Sequence, residues 1–223
     1  MRILLLLLCF FGAVGLQAQS VEAVLSRMDA AAPRFHAMSA DIKMLTHTAV
    51  IDDTENESGT FKMQRLKGED VRAILDFSRE KDARVIAFLG KIVRIYYPNA
   101  KTYQDYDLGK SSDVLNQFLL LGFGSSGRDL AASYHITGEG QEKVAGRETT
   151  KLLLVPKSAD VGKRLSKVEV WIPNDAAYPV QQKFVEPSEN YRIVTYSNID
   201  LTPSFKGNKL DLKVPAGAKK QGS

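Results

Sequence analysis

From residue 39 onward the apolar side chains of this chain recur at every second position. Ala40, Ile42 and Met44 alternate with Asp41 and Lys43; Phe61 and Met63 alternate with Lys62 and Gln64; Val71, Ala73, Leu75 and Phe77 are separated by Arg72, Ile74 and Asp76. Successive side chains of a strand point to opposite sides, so this pattern specifies strands with one face buried. Segments 83–89 and 92–97 flank Gly90-Lys91, a two-residue hairpin signal. That turn puts Ile86, Phe88, Val93 and Ile95 on one face, and Val85 and Ala87 with Arg94 and Tyr96 on the other, more amphipathic one. Further strands are expected at 101–106, 134–137, 142–144, 148–155, 166–172, 180–185, 191–198 and 210–214. Turn-rich separators such as Pro98-Asn99, Gly138-Glu139-Gly140 and Pro173-Asn174-Asp175 divide them. Many short strands at near-regular spacing imply a mainly β, antiparallel sheet that curls or closes.

Two regions break the period. Residues 20–35 carry Val21, Val24, Leu25, Met28, Ala32 and Phe35 at helical spacing behind a candidate N-cap, Ser20, with Pro33 marking a kink or a late boundary. Residues 113–132 hold the most apolar stretch downstream of the leader: Val114, Leu115, Phe118, Leu119, Leu121 and Phe123, interrupted by Gly122, Gly124 and Gly127. This segment reads either as a core helix or as a movable lid hinged at its glycines.

The first twenty residues differ from the rest. Arg2, the apolar run through Phe11 and the small-residue site ending at Ala18 form the pattern of a secretory signal peptide, shorter than a comfortable membrane span of roughly 20 residues. Residues 1–18 are therefore expected to be removed, leaving one domain over 19–223 in the periplasm. The lone Cys9 lies in the leader, so the mature chain has no thiol nucleophile, disulfide or cysteine metal site.

Composition and motifs exclude several functions. Thirty Lys and Arg against 26 Asp and Glu give a net charge of only +4, with the basic residues interleaved among acidic ones, so no nucleic-acid partner is expected. Gly122-Phe123-Gly124-Ser125-Ser126-Gly127 matches the glycine spacing of a dinucleotide loop but follows a helical pattern rather than a strand. His36, His47 and His135 lack a second ligand at metal spacing. Asp52, Asp53, Glu55 and Glu57 read as a solvated acidic loop between strands. Nothing selects acid–base or nucleophilic chemistry, so no enzyme, cofactor or metal is expected. What remains is apolar surface: each CH₂ buried against it is worth roughly 0.8 kcal/mol, ample for holding acyl chains.

The order of elements resembles the LolA family of periplasmic outer-membrane lipoprotein carriers over roughly 20–218. The likeness rests on Met38-Ser39-Ala40-Asp41-Ile42 after the helix, Gly59-Thr60-Phe61-Lys62-Met63-Gln64-Arg65, and Leu89-Gly90-Lys91 with Tyr96-Tyr97-Pro98. Leu152-Leu153-Leu154-Val155-Pro156-Lys157, Tyr178-Pro179 and the closing run from Leu210 to Gly217 complete it. Leu66, Leu89 and Arg94 depart from the family's pattern. The resemblance implies an incomplete, half-open antiparallel barrel with helices over a concave apolar face. It implies a monomeric carrier of acylated lipoproteins or other lipids, loaded by an inner-membrane releasing transporter and unloaded to an outer-membrane acceptor. The helical lid would be Val114, Leu115, Phe118, Leu119, Leu121 and Phe123, and Arg65 would latch it through backbone carbonyls. A guanidinium suits that role, with five donors in a fixed fork. Alternation nominates the acyl-chain cavity: Ile42, Met44, Phe61, Met63, Leu75, Phe77, Ile86, Phe88, Val93, Ile95, Val168 and Val170. A slip of one residue would turn any of these strands inside out. The alternative implied by relatives of the same fold is a lipid-sensing or protein-interaction module in envelope stress signalling.

Overall fold

The computed structural model describes residues 20–66, 71–109, 121–206 and 209–222. Helix α1 (Val21–Ala31) starts at Ser20, whose hydroxyl accepts from the Ala23 N–H at 3.2 Å. Pro33 ends it, and Ala32–Arg34 tightens into a 3₁₀ turn, so the helix stops four residues short of the expected Phe35. Two meanders follow. Strands β1 (Ala37–Thr48), β2 (Asp53–Arg65), β3 (Val71–Asp76), β4 (Val85–Leu89), β5 (Ile92–Tyr97) and β6 (Thr102–Asp107) form the first. After helix α2 (Gly127–Ser133) the second comprises β7 (Tyr134–Val144), β8 (Arg147–Pro156), the short α3 (Ala159–Gly162), β9 (Lys167–Pro173), β10 (Gln181–Val185) and β11 (Tyr191–Asp200). Strand β12 (Lys219–Lys220) runs parallel to β6. All other pairings are antiparallel, in the order β12-β6-β5-β4-β3-β2-β1-β11-β10-β9-β8-β7. The result is one open sheet with an N-terminal helix, a half-open barrel.

This order dictates a crossing. Strands β1 and β11 join the two meanders at the middle, so β6 and β7 lie at opposite ends of the sheet. The chain leaves the sheet at Asp107 and re-enters it at Tyr134, at the other end. The described end of this connection packs on the same face as α1: Leu121 joins Val24, Met28, Leu152 and Val170 in one buried cluster. Phe123 joins Met38, Ile42, Met63 and Tyr196 in the next.

The opposite face has its own cover. Ile74, Val85 and Ala87 are buried under Leu210, with Phe205 and Leu212 beside it. The expected strand over 210–214 is instead this irregular strap. Its backbone bonds side chains rather than a ladder: the Leu210 N–H donates to Gln64 Oε1 at 2.6 Å, and Arg72 Nη1 donates to the Leu210 carbonyl at 3.4 Å. Alternate leucines anchor a strap as readily as a strand, which is why the pattern misleads.

The acidic stretch is also reassigned. Residues 53–57 belong to β2, and the connection is a 3₁₀ turn at Ala49–Ile51 followed by Asp52 with φ 48°. This part of the β1–β2 hairpin extends beyond the core, so neither side is pressed toward apolar residues. Glu57 is paired, with Arg84 donating to both its oxygens at 2.5 and 2.7 Å. Expected strands 134–137 and 142–144 are one strand, β7, with a bulge between Gly138 and Gln141.

Candidate functional site

Register aligns the nominated strand residues. Opposite residues of an antiparallel pair share a face. Met44 pairs with Val194, Val194 with Gln182 and Gln182 with Val170. On the other side Phe61 pairs with Leu75, Leu75 with Ile86 and Ile86 with Ile95, while Phe88 pairs with Val93. Ile42, Met63 and Val168 fall on the same face, and Phe77, one residue beyond β3, is buried in the same cluster as Ile42 and Met63. All twelve therefore belong to the helix-bearing side.

Their environments differ. Val168 and Val170 are sealed under α1 and α2 at 0% and 1% exposure. Ile42, Phe61, Met63 and Phe77 are buried, and Met44, Leu75 and Phe88 are half-buried beside them. Ile86, Val93 and Ile95 are half-buried and lie outside the buried clusters. Of the nominated lid, Leu121 and Phe123 are buried at 1% exposure, whereas Val114, Leu115, Phe118 and Leu119 lie outside the described residues.

Arg65, at the end of β2, reaches two backbone carbonyls on the helix-bearing side. Nη1 donates to Ala32 at 3.3 Å and Nη2 donates to Gly124, while the guanidinium sits 5.6 Å from the Phe35 ring centroid. Gly124 has φ +81°, and a Cβ there would lie 2.9 Å from Arg65 Nη2. Gly122, with φ +79°, would put a Cβ 2.8 Å from Pro179. The glycine-rich motif thus serves positive φ and close approach to Pro179, Phe35 and the Arg65 guanidinium. Ser126 and Asp129 then form a capping box that starts α2.

A buried polar chain holds the same crossing segment, and sequence reasoning missed it. Tyr196 Oη donates to Gln182 Oε1 at 2.6 Å, and Gln182 Nε2 donates to the Leu121 carbonyl at 2.7 Å. Both side chains are buried, and burial pushes the Tyr196 phenol well above its ordinary range. Gln182 lies in a strand whose apolar parity it interrupts (Val180, Gln182, Phe184), and that was the one available signal.

A cavity of about 320 Å³ opens beside Ala32 and Gly124, the two residues whose carbonyls Arg65 bonds. Met28, Ala31, Ala32 and Phe35 form one wall, Phe123, Gly124 and Ser125 a second, and Ala176, Ala177 and Tyr178 a third. None of the twelve nominated strand residues lines it; Ile42, Phe61, Met63 and Phe77 are instead packed against one another and against Phe123 and Tyr196. Phe123 divides the two regions, stacked at 6.3 Å from Tyr178 on the cavity side and edge-on at 4.9 Å to Tyr196 on the sheet side. Among the described residues no cluster of His, Cys, Asp and Glu could hold a metal ion.

The fold and this face define a half-open-barrel protein whose segment from Leu121 to Gly124 is hydrogen-bonded by Gln182 and Arg65 over an apolar sheet. No protein-family model matches the sequence, and no curated protein matches it. Solved structures do. An uncharacterized conserved protein from Thermus thermophilus is similar at a TM-score of 0.54 and 10% identity, covering 91% of this chain and 99% of that one. MucB is similar at 0.51 and 12% identity, covering 86% of this chain; the chain spans 62% of the length of MucB. A candidate outer-membrane lipoprotein-sorting domain from Vibrio parahaemolyticus aligns more loosely, at 0.45 and 13% identity over 85% of this chain and 96% of its own. The first two carry the likeness of fold.

Proposed function

We propose that this protein is an exported lipid-binding carrier. It takes acyl chains of lipoproteins or other lipids onto the helix-bearing face, between the sheet and the crossing segment, and moves them from inner to outer membrane. The observation that carries the reading is the apolar face itself. In one register it runs from residues sealed under helices to Ile86, Val93 and Ile95, which are left half-buried. Arg65 acts as the latch: its bonds to Ala32 and Gly124 tie the end of the crossing segment to the sheet. Donation to backbone carbonyls suits such a role, because releasing them exchanges protein for water partners at a net cost of only about 1–3 kcal/mol. Uptake and release can then be balanced against each other.

The test is native mass spectrometry of the exported protein, followed by uptake of a triacylated lipopeptide. Co-purifying acylated species and saturable uptake are expected. Arg65→Leu should reduce uptake or transfer several-fold while the circular dichroism spectrum stays unchanged; normal transfer by this variant removes Arg65 from the site. A second reading, an interaction module, is favoured by the β1–β2 tip, where Val50 and Ile51 are 87% and 69% exposed. An apo mass with no lipopeptide uptake would shift weight to it.

A further inference from the structure

The cavity beside the latch is built as a site in its own right. Two arginines brace its walls through backbone carbonyls. Arg65 ties the Ala32 wall to the Gly124 wall, as above. Arg27, from α1, donates through Nε to the Ala176 carbonyl at 3.1 Å and through Nη2 to Pro173 at 3.5 Å, fixing the third wall. A cavity braced on three sides is largely formed before any ligand arrives, which lowers the ordering cost of binding. Alanines at positions 31, 32, 176 and 177 create the room, and Phe35, Phe123 and Tyr178 give it aromatic walls. Its volume is that of roughly ten waters at ~30 Å³ each, at the small end of ligand pockets.

Its polar groups sit at the rim and are not equivalent. Asp175 is already engaged by Arg147 at 2.6 Å. Ser125 accepts from the Gly122 N–H at 3.0 Å, leaving its own hydroxyl proton to donate. Arg34 is exposed at the mouth and has no acidic partner among the described residues. The Tyr178 hydroxyl is likewise engaged, by Arg147, so the Arg34 cation and the Ser125 hydroxyl are the least committed polar groups above an apolar well.

We propose that this cavity binds a single medium-length hydrocarbon chain ending in a carboxylate, with the chain between Ala177 and Phe123 and the head at Arg34 and Ser125. This deepens the carrier reading by adding a second ligand class at a second compartment, and it can be judged without that reading. Because two cavity walls are the residues held by Arg65, an occupied cavity favours the latched arrangement.

The experiment is calorimetric titration of the delipidated exported protein with decanoic acid and with decan-1-ol, alongside triacylated lipopeptide uptake. Decanoate should bind saturably. Arg34→Gln, at an exposed position, should weaken decanoate about fivefold, as expected for an exposed charge pair, and leave decanol within twofold. Ala177→Leu should abolish binding of both while lipopeptide uptake persists. The proposal is overturned if decanoate does not bind, if Ala177→Leu binds it like the wild type, or if Ile95→Asp on the sheet face removes it instead. Decanoate behaving as expected in a protein that takes up no lipopeptide would uphold the cavity and sink the carrier reading alone.

Discussion

The two halves of the sheet share one side chain parity and meet opposite fates. Strands β7–β11 turn Leu152, Leu154, Val168 and Val170 toward α1 and α2, which bury them completely. Their other face carries charge: Lys151 lies 3.0 Å from Glu139 and 3.1 Å from the buried Glu169, and 5.1 Å from the ring centroid of the buried Trp171. Strands β4 and β5, with the outer side of β3, are arranged the other way round. Their outer face is closed by the C-terminal strap over Ile74, Val85 and Ala87, while their inner face keeps Ile86, Val93 and Ile95 half-buried. Cover on one side is enough to hold an antiparallel sheet. By this logic the helices stabilise one half from within and the strap stabilises the other from outside, leaving the inner side of β4–β5 available for a ligand.

The largest expected effect breaks or supports that contrast directly. Val170→Asp places a carboxylate in a sealed apolar cluster and should cost about 4 kcal/mol or more, enough to unfold a domain whose whole stability is typically ~5–15 kcal/mol. Ile95→Asp makes the same kind of change on the same face and should cost about 1 kcal/mol or less, because its carboxylate can reach water. It should nevertheless abolish lipopeptide uptake. Thermal unfolding of the two variants is the check; equal losses would mean that the inner side of β4–β5 is ordinary core.

The next effect concerns the join between the halves. Gln182→Leu keeps the volume but leaves the Leu121 carbonyl and the Tyr196 hydroxyl without their partner. Orphaning buried polar groups costs about 1–3 kcal/mol each. Tyr196→Phe removes one donor and leaves the bond from Gln182 to Leu121 in place, so it should cost less, near 1 kcal/mol. If Tyr196→Phe proves the more damaging in denaturant titration, the Gln182 side chain and its bond to Leu121 are not what secures the crossing segment.

What the residues announce in advance follows the same division. Strict alternation through Phe61–Met63 and Val93–Ile95 gives the parity of the inner face, because one side of each strand is apolar and the other is not. The β1–β2 extension is illegible for the converse reason: Asp53, Glu55 and Glu57 form a strand that leaves the core, held by ladder bonds that no side chain pattern reports. The strap at Leu210 and Leu212 reads as a strand since period 2 records which residues bury, not what the backbone bonds. Gln182 and the cavity depend on where separate segments meet. No periodicity encodes that Ala32, Gly124 and Ala176 will line one cavity.

The smallest predicted effect sharpens the contrast through acid. In the closed half, burial pushes the Glu169 carboxyl up, but hydrogen bonding and charge from Lys151, with Lys183 and Lys167, outweigh it and hold it below its ordinary value. In the strap-covered half, the Arg94 hydrogen bonds hold Asp105 below its ordinary value of 3.8, against a smaller opposing push from burial. Arg94 donates to both oxygens, at 2.7 and 3.0 Å, and lies 5.1 Å from the Tyr103 ring centroid. A depressed folded value means that the unfolded chain takes up the proton more readily. The stability these carboxylates contribute is therefore complete above their ordinary values, and it is lost as pH falls through the folded ones. Tm should hold between pH 7 and 5 and decline from about pH 4 downward. Asp105→Asn should lower Tm slightly at pH 7 and make the acid decline shallower, and Glu169→Gln should do the same from the other half. If only Glu169→Gln flattens the profile, the charged outer face of β7–β9 governs acid stability; if only Asp105→Asn does, the β5–β6 edge governs it.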